Sequence, residues 1–87
     1  MVSEKVTVIN PQGMHMRPAQ LFVNTLSAYK CDVTILFGKN KINARSIMNL
    51  MAACIKCGSE IEIQCDGEQE AQALKAAVDL VKSGLGE

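Results

Sequence analysis

At 87 residues the chain has room for one domain, expected over 1–87, and one modest core, because short chains bury a smaller share of their surface than long ones. Nine basic residues balance nine acidic ones, and with two phenylalanines, one tyrosine and no tryptophan there are few platforms for stacking bases, which argues against nucleic acid as a partner. The 48% hydrophobic content is spread along the chain without a run long enough to span a bilayer, so no membrane insertion is expected.

Met1-Val2-Ser3-Glu4-Lys5 lacks the basic and apolar pattern of a secretion signal, which predicts a cytoplasmic location. In a reducing compartment Cys31, Cys54, Cys57 and Cys65 are expected as free thiols, mostly buried as small hydrophobes.

Residues 2–9 are rich in β-branched side chains, with Val6 and Val8 on one face and Lys5 and Thr7 on the other, and read as a first strand broken by Asn10-Pro11-Gln12-Gly13. From Met16, the residues Phe22, Leu26 and Tyr29 recur at helical spacing beside Ala19 and Val23, which predicts an amphipathic helix over 16–28. Residues 32–37 alternate, with Val33, Ile35 and Phe37 on one face, and Gly38-Lys39-Asn40 turns them into Lys41-Ile42-Asn43 as a hairpin.

Ser46 can cap a short helix containing Ile47, Met48, Leu50 and Met51, with Asn49 making an incomplete capping box, and Gly58 falls in the loop beyond. Glu60-Ile61-Glu62-Ile63-Gln64-Cys65 is the cleanest alternation and predicts a half-exposed strand. Asp66 and Gln69 resemble a capping pair for a last helix carrying Leu74, Ala77, Val78 and Val81 and closed by Gly84. The order is βαββαβα, and the one-sided strands call for an α+β open-faced sandwich: a four-stranded antiparallel sheet with three helices on one face and water on the other.

The chemistry concentrates at Gly13-Met14-His15-Met16-Arg17-Pro18-Ala19, where the loop after the first strand becomes the first helix. Pro18 is tolerated there because amides of the first turn have no intrahelical acceptor. His15, the only histidine, is therefore placed at a helix start, where amides and the dipole favour a phosphate or another anion, and Arg17 adds mobile positive charge. The same field disfavours an imidazolium and leaves a neutral ring nitrogen to attack phosphorus. A solitary histidine is ordinarily a capping or surface residue; the anion-binding helix start and the nearby arginine shift the balance toward a phosphoryl carrier.

This turn resembles the active-site turn of HPr, the family of histidine-containing phosphocarriers in the bacterial phosphoenolpyruvate-dependent sugar phosphotransferase system. The similarity extends through Arg45-Ser46-Ile47-Met48-Asn49-Leu50-Met51, Gly58 and Gly84-Leu85-Gly86-Glu87, and length and element order agree. The resemblance implies the HPr-like fold, catalytic roles for His15 and Arg17, and no cofactor or metal. It implies that His15 takes phosphate through Nδ1 from phosphorylated enzyme I and passes it to sugar-specific IIA proteins or domains. The chain would thus be a monomeric protein substrate rather than an enzyme. Met14 and Met16 stand where the usual motif carries Leu and Ala, giving the histidine bulkier and more flexible flanks.

Serine is a common N-cap with no other duty, but the resemblance implies that Ser46 is the regulatory site of Firmicute-type members. It would be phosphorylated by HPr kinase/phosphorylase, slowing transfer from enzyme I and promoting binding to the catabolite control repressor in carbon catabolite repression. Asn49 replaces the family's common glycine beside it. Met48 and Met51 are expected partly outward and Leu50 inward, with the direction of Ile47 open. With Met16, the residues Ile47, Met48 and Met51 make a candidate partner-binding surface, adaptable to several proteins.

Three rivals compete with the carrier reading. Cys54-Ile55-Lys56-Cys57 has redox or metal spacing, but zinc would have to recruit the scattered Cys31 and Cys65. A purely regulatory HPr-like module acting through Ser46 is the second, and the presence of His15 argues against it. A small-ligand sandwich of the same element order is the third, and no residue set here names a ligand.

Overall fold

The computed structural model describes residues 1–11 and 13–85. Its elements, in chain order, are β1 (Val2–Thr7), α1 (Met16–Leu26), β2 (Cys31–Phe37), β3 (Asn40–Asn43), α2 (Ile47–Ala52), β4 (Glu60–Gly67) and α3 (Glu70–Lys82). The strands lie in the order β1-β4-β2-β3 and every pair is antiparallel. The expected βαββαβα sandwich of four antiparallel strands and three helices is thus what the chain forms.

Strand parity decides which face is dry. Ile61, Ile63 and Cys65 of β4 and Val33 and Ile35 of β2 are buried, whereas their alternating neighbours Glu60, Asp66 and Asp32 are exposed. Onto the dry face pack Ala19, Phe22 and Leu26 of α1, Leu50 of α2, and Ala73, Ala77, Val78 and Val81 of α3. Burying a side chain the size of Phe22 or Leu26 stabilises the fold by about 2 kcal/mol each. Glu4 follows the inward parity of edge strand β1, but its carboxylate stays half-exposed and lies 3.7 Å from Lys82 Nζ at the end of α3.

Several element ends differ from the sequence expectation. β1 stops at Thr7 rather than residue 9, although Val8 still donates to Ser59 O at 2.9 Å and accepts from Gly58 N at 2.7 Å, so pairing outlasts the regular ladder. α1 ends at Leu26 rather than residue 28, because Ser27 turns its hydroxyl back to Asn24 O at 2.7 Å and Tyr29 N bonds Leu26 O at 3.1 Å.

The Asp66–Gln69 capping pair does not form. Asp66 remains in β4, opposite Asp32 of β2, since pairing with β2 runs on to Gly67. Gln69 sits at the cap position of α3 without a side-chain cap bond; its Oε1 instead accepts from Lys30 N at 2.9 Å. Glu70 takes over part of the task by accepting from Gly67 N at 3.3 Å. Gly84 does adopt the left-handed conformation (φ 91°) expected beyond that helix, while Gly86 and Glu87 lie outside the described residues.

The cysteines require a second correction. Of the four, only Cys65 is fully buried; Cys31 is half-buried and Cys54 and Cys57 are exposed. Burial, reinforced by the adjacent Cys31, pushes the Cys65 thiol up to about 12. Among the described residues no cluster of three metal-ligating side chains occurs, and no helix is long and apolar enough to cross a membrane.

Thiol accessibility tests this arrangement. With an aromatic disulfide reagent at mildly alkaline pH, Cys54 and Cys57 should react promptly in the native protein, and Cys65 only after denaturant is added, read as absorbance steps and peptide masses.

Candidate functional site

The turn between β1 and α1 is held from two directions. From its own side, Asn10 O accepts from Gly13 N at 3.0 Å and Asn10 Nδ2 donates to Gly13 O at 2.6 Å. From across the molecule, Met14 N donates to Ile55 O at 2.8 Å, tying the turn to the loop between α2 and β4. Glycine is needed at position 13: its φ is +66°, and a Cβ there would collide with the Ile55 carbonyl oxygen and stand 2.7 Å from Lys56 Cα.

The chain leaves this clamp at His15, the N-cap residue of α1, in an extended conformation (φ −93°, ψ −168°). Ala19 N bonds His15 O at 2.9 Å to close the first turn. Pro18 has no amide hydrogen, and the Met16 and Arg17 amides precede the first intrahelical acceptor, so the helix end presents donors and the positive pole of its dipole. No acidic residue stands in that first turn. His15 is half-exposed and Arg17 exposed, which makes both accessible to a partner protein. The arrangement suits covalent attachment of an anion to the imidazole, with the helix terminus and a mobile guanidinium to balance its charge.

Methionine on the two sides of His15 has two different fates. Met16 is 61% exposed, as a flexible flank would be, whereas Met14 is 3% exposed and belongs to the core. The expectation of a bulky, flexible flank on each side of the histidine therefore fits Met16 and not Met14, whose amide is bonded inward to Ile55 O.

α2 packs against α1 and brings the second candidate segment to the same end of the fold. Ser46 is its N-cap, with Oγ accepting from Asn49 N at 3.3 Å. The preceding Arg45 points away from the cap: its Nη1 donates to Cys31 O at 2.7 Å and approaches Tyr29 O at 3.4 Å. Leu50 is fully buried, Ile47 half-buried against the core, Met48 79% exposed and Met51 38% exposed. Met16, Met48 and Met51 thus form the exposed part of the expected apolar set, and Ile47 its partly covered member. Leu21, also exposed on α1, was not singled out by periodicity because it lies off the buried Ala19–Phe22–Leu26 stripe. Asn10 was missed as well; the signal available was an asparagine followed by proline at a strand end, a pattern in which the amide side chain bonds nearby backbone.

Comparison with known proteins agrees with this geometry. The family model described as the PTS HPr component phosphorylation site matches residues 2–83. The phosphocarrier protein HPr of Neisseria meningitidis is 34% identical over 87 residues, covering 100% of this chain and 98% of that protein. The crystal structure of HPr from Thermoanaerobacter tengcongensis superposes with a TM-score of 0.95 at 36% identity, covering 100% and 98% of the two chains. The solution structure of Crh, the catabolite repression HPr of Bacillus subtilis, is similar with a TM-score of 0.69 at 36% identity, covering 92% and 95%. A small α+β domain with one accessible histidine at a helix start, matched along nearly its whole length, belongs to the HPr family of phosphocarriers in the sugar phosphotransferase system.

The clamp predicts unequal costs for two similar substitutions. Gly13→Ala should destabilise the protein by about 3 kcal/mol, combining a left-handed φ with backbone overlap. Gly38→Ala, also left-handed but with nothing within 4 Å of the new Cβ, should cost only about 1 kcal/mol. Urea unfolding of both variants checks the difference.

Proposed function

We propose that His15 is the phosphoryl acceptor and that the chain, acting as one cytoplasmic domain over 1–87, shuttles phosphate from phosphorylated enzyme I to sugar-specific IIA proteins or domains. The observation that carries this reading is the half-exposed His15 at the start of α1, on a backbone held by Asn10 and Ile55. A neutral imidazole Nδ1 attacks the phosphorus of the donor, a phosphorus–nitrogen bond forms, and the donor's bond to phosphorus breaks. The first-turn amides of α1 and Arg17 offset the charge that arrives with the group. A phosphoramidate at a partly solvated turn is labile, as a relay requires. Phosphoenolpyruvate charges enzyme I, and donor and acceptor proteins supply the acid and base groups, so this chain is a protein substrate, with Met16, Ile47, Met48 and Met51 as its shared docking surface.

Mass spectrometry tests the relay. Incubated with enzyme I, magnesium and phosphoenolpyruvate, the protein should gain one phosphoryl group that is acid-labile and base-stable, and His15→Ala should gain none. An unchanged mass beside an HPr that enzyme I does charge would overturn His15 as acceptor.

A regulatory reading centred on Ser46 has its own support in the similarity to Crh and in the placement of Ser46 at a helix start beside α1. A phosphate there adds about two negative charges next to the docking surface, which repels an acidic partner. HPr kinase/phosphorylase and the catabolite control repressor are the partners this reading calls for. Ser46→Asp should raise the KM for phosphorylation by enzyme I by roughly tenfold, about 1.4 kcal/mol, with little change in folding stability; steady-state kinetics against carrier concentration measure it.

A further inference from the structure

Asn10 is 2% exposed and is the buried polar side chain of the described residues. Polar groups in a core cost stability unless bonded, so their retention points to what they bond. Asn10 holds both ends of a single residue: its main-chain oxygen accepts from Gly13 N at 3.0 Å, and its side chain donates through Nδ2 to Gly13 O at 2.6 Å. The next amide, Met14 N, is held by Ile55 O at 2.8 Å. Consecutive peptide groups leading into His15 are therefore fixed, and the Gly13 carbonyl is fixed by a side chain rather than by secondary structure. Asparagine suits the task because it fits the turn, donates a hydrogen bond and carries no charge. Aspartate keeps the shape without the donor, and alanine lacks both.

We propose that Asn10 is a positioning residue for phosphoryl transfer: by pinning the Gly13 carbonyl it orients the His15 imidazole at the start of α1. The inference rests on the reading of His15 as acceptor. Asn10 is buried beneath the turn, out of reach of a docking protein, so its loss acts on the rate of the transfer step and leaves docking unchanged. Small displacements of a reacting group are enough to slow transfer by about tenfold or more.

The test compares Asn10→Asp and Asn10→Ala with Ile63→Val, a core change in β4 chosen to weaken the fold away from the turn. All are assayed with enzyme I and phosphoenolpyruvate at a temperature where urea unfolding shows each to be folded. Expected is a kcat about tenfold lower for both Asn10 variants, a KM within about twofold of the parent protein, and displaced His15 imidazole resonances in the NMR spectrum, with none of these in Ile63→Val. The inference is overturned if folded Asn10 variants keep the parent kcat, or if Ile63→Val slows transfer equally, which would make the effect one of stability. Failure of the parent protein to accept phosphate would overturn the His15 reading instead, and is seen before any variant is compared.

Discussion

The hydrogen bond from Met14 N to Ile55 O joins two loops that are distant in sequence, and the architecture at this end of the molecule depends on it. One loop leaves β1 and enters α1; the other leaves α2 and enters β4. For the bond to form, the backbone at position 13 must come against residues 55 and 56, which only a residue without a Cβ allows. Once it forms, Met14 is directed into the core and His15, the next residue, is half-exposed. A histidine on an unsupported loop has to be ordered anew at every encounter; here much of that ordering is complete on folding.

The same loop contact relates the two candidate segments. α2 ends a few residues before Ile55, and its packing against α1 places Ser46, Met48 and Met51 on the side of the fold that carries His15 and Met16. Arg45 helps set the start of α2 by tying it to the carbonyls of Tyr29 and Cys31 at the entry to β2. Its guanidinium is therefore engaged by main-chain carbonyls, whereas Arg17 stands exposed in the first turn of α1 beside His15.

Much of this was legible before the fold was known, and the reasons are specific. The alternation of residues 60–65 named the dry face because a strand has only two faces, and the spacing of Ala77, Val78 and Val81 named the buried side of α3. The place of His15 at a helix start was legible from its surroundings, because Pro18 is tolerated inside the first turn of a helix. The misses came where distant chain decided the outcome. Cysteine is usually buried, but Cys54 turns into the left-handed region at the end of α2 (φ 56°) and leaves the inward place to Ile55. Asp66 reads as a cap in local sequence, yet pairing with β2 keeps it in the sheet. Asn10 could not be seen as a clamp because its partner is a backbone group brought back by the turn.

Main-chain amides and carbonyls, more than side chains, hold and electrify the turn at His15. The exposed methionines of α1 and α2 lie outside that framework. The exposed apolar surface and the clamped turn are thus separate parts of the molecule: the side chains of Met16 and Met48 can be exchanged while the backbone that carries the histidine stays as it was. On such a scaffold the surface can be reshaped without rebuilding the turn beneath it.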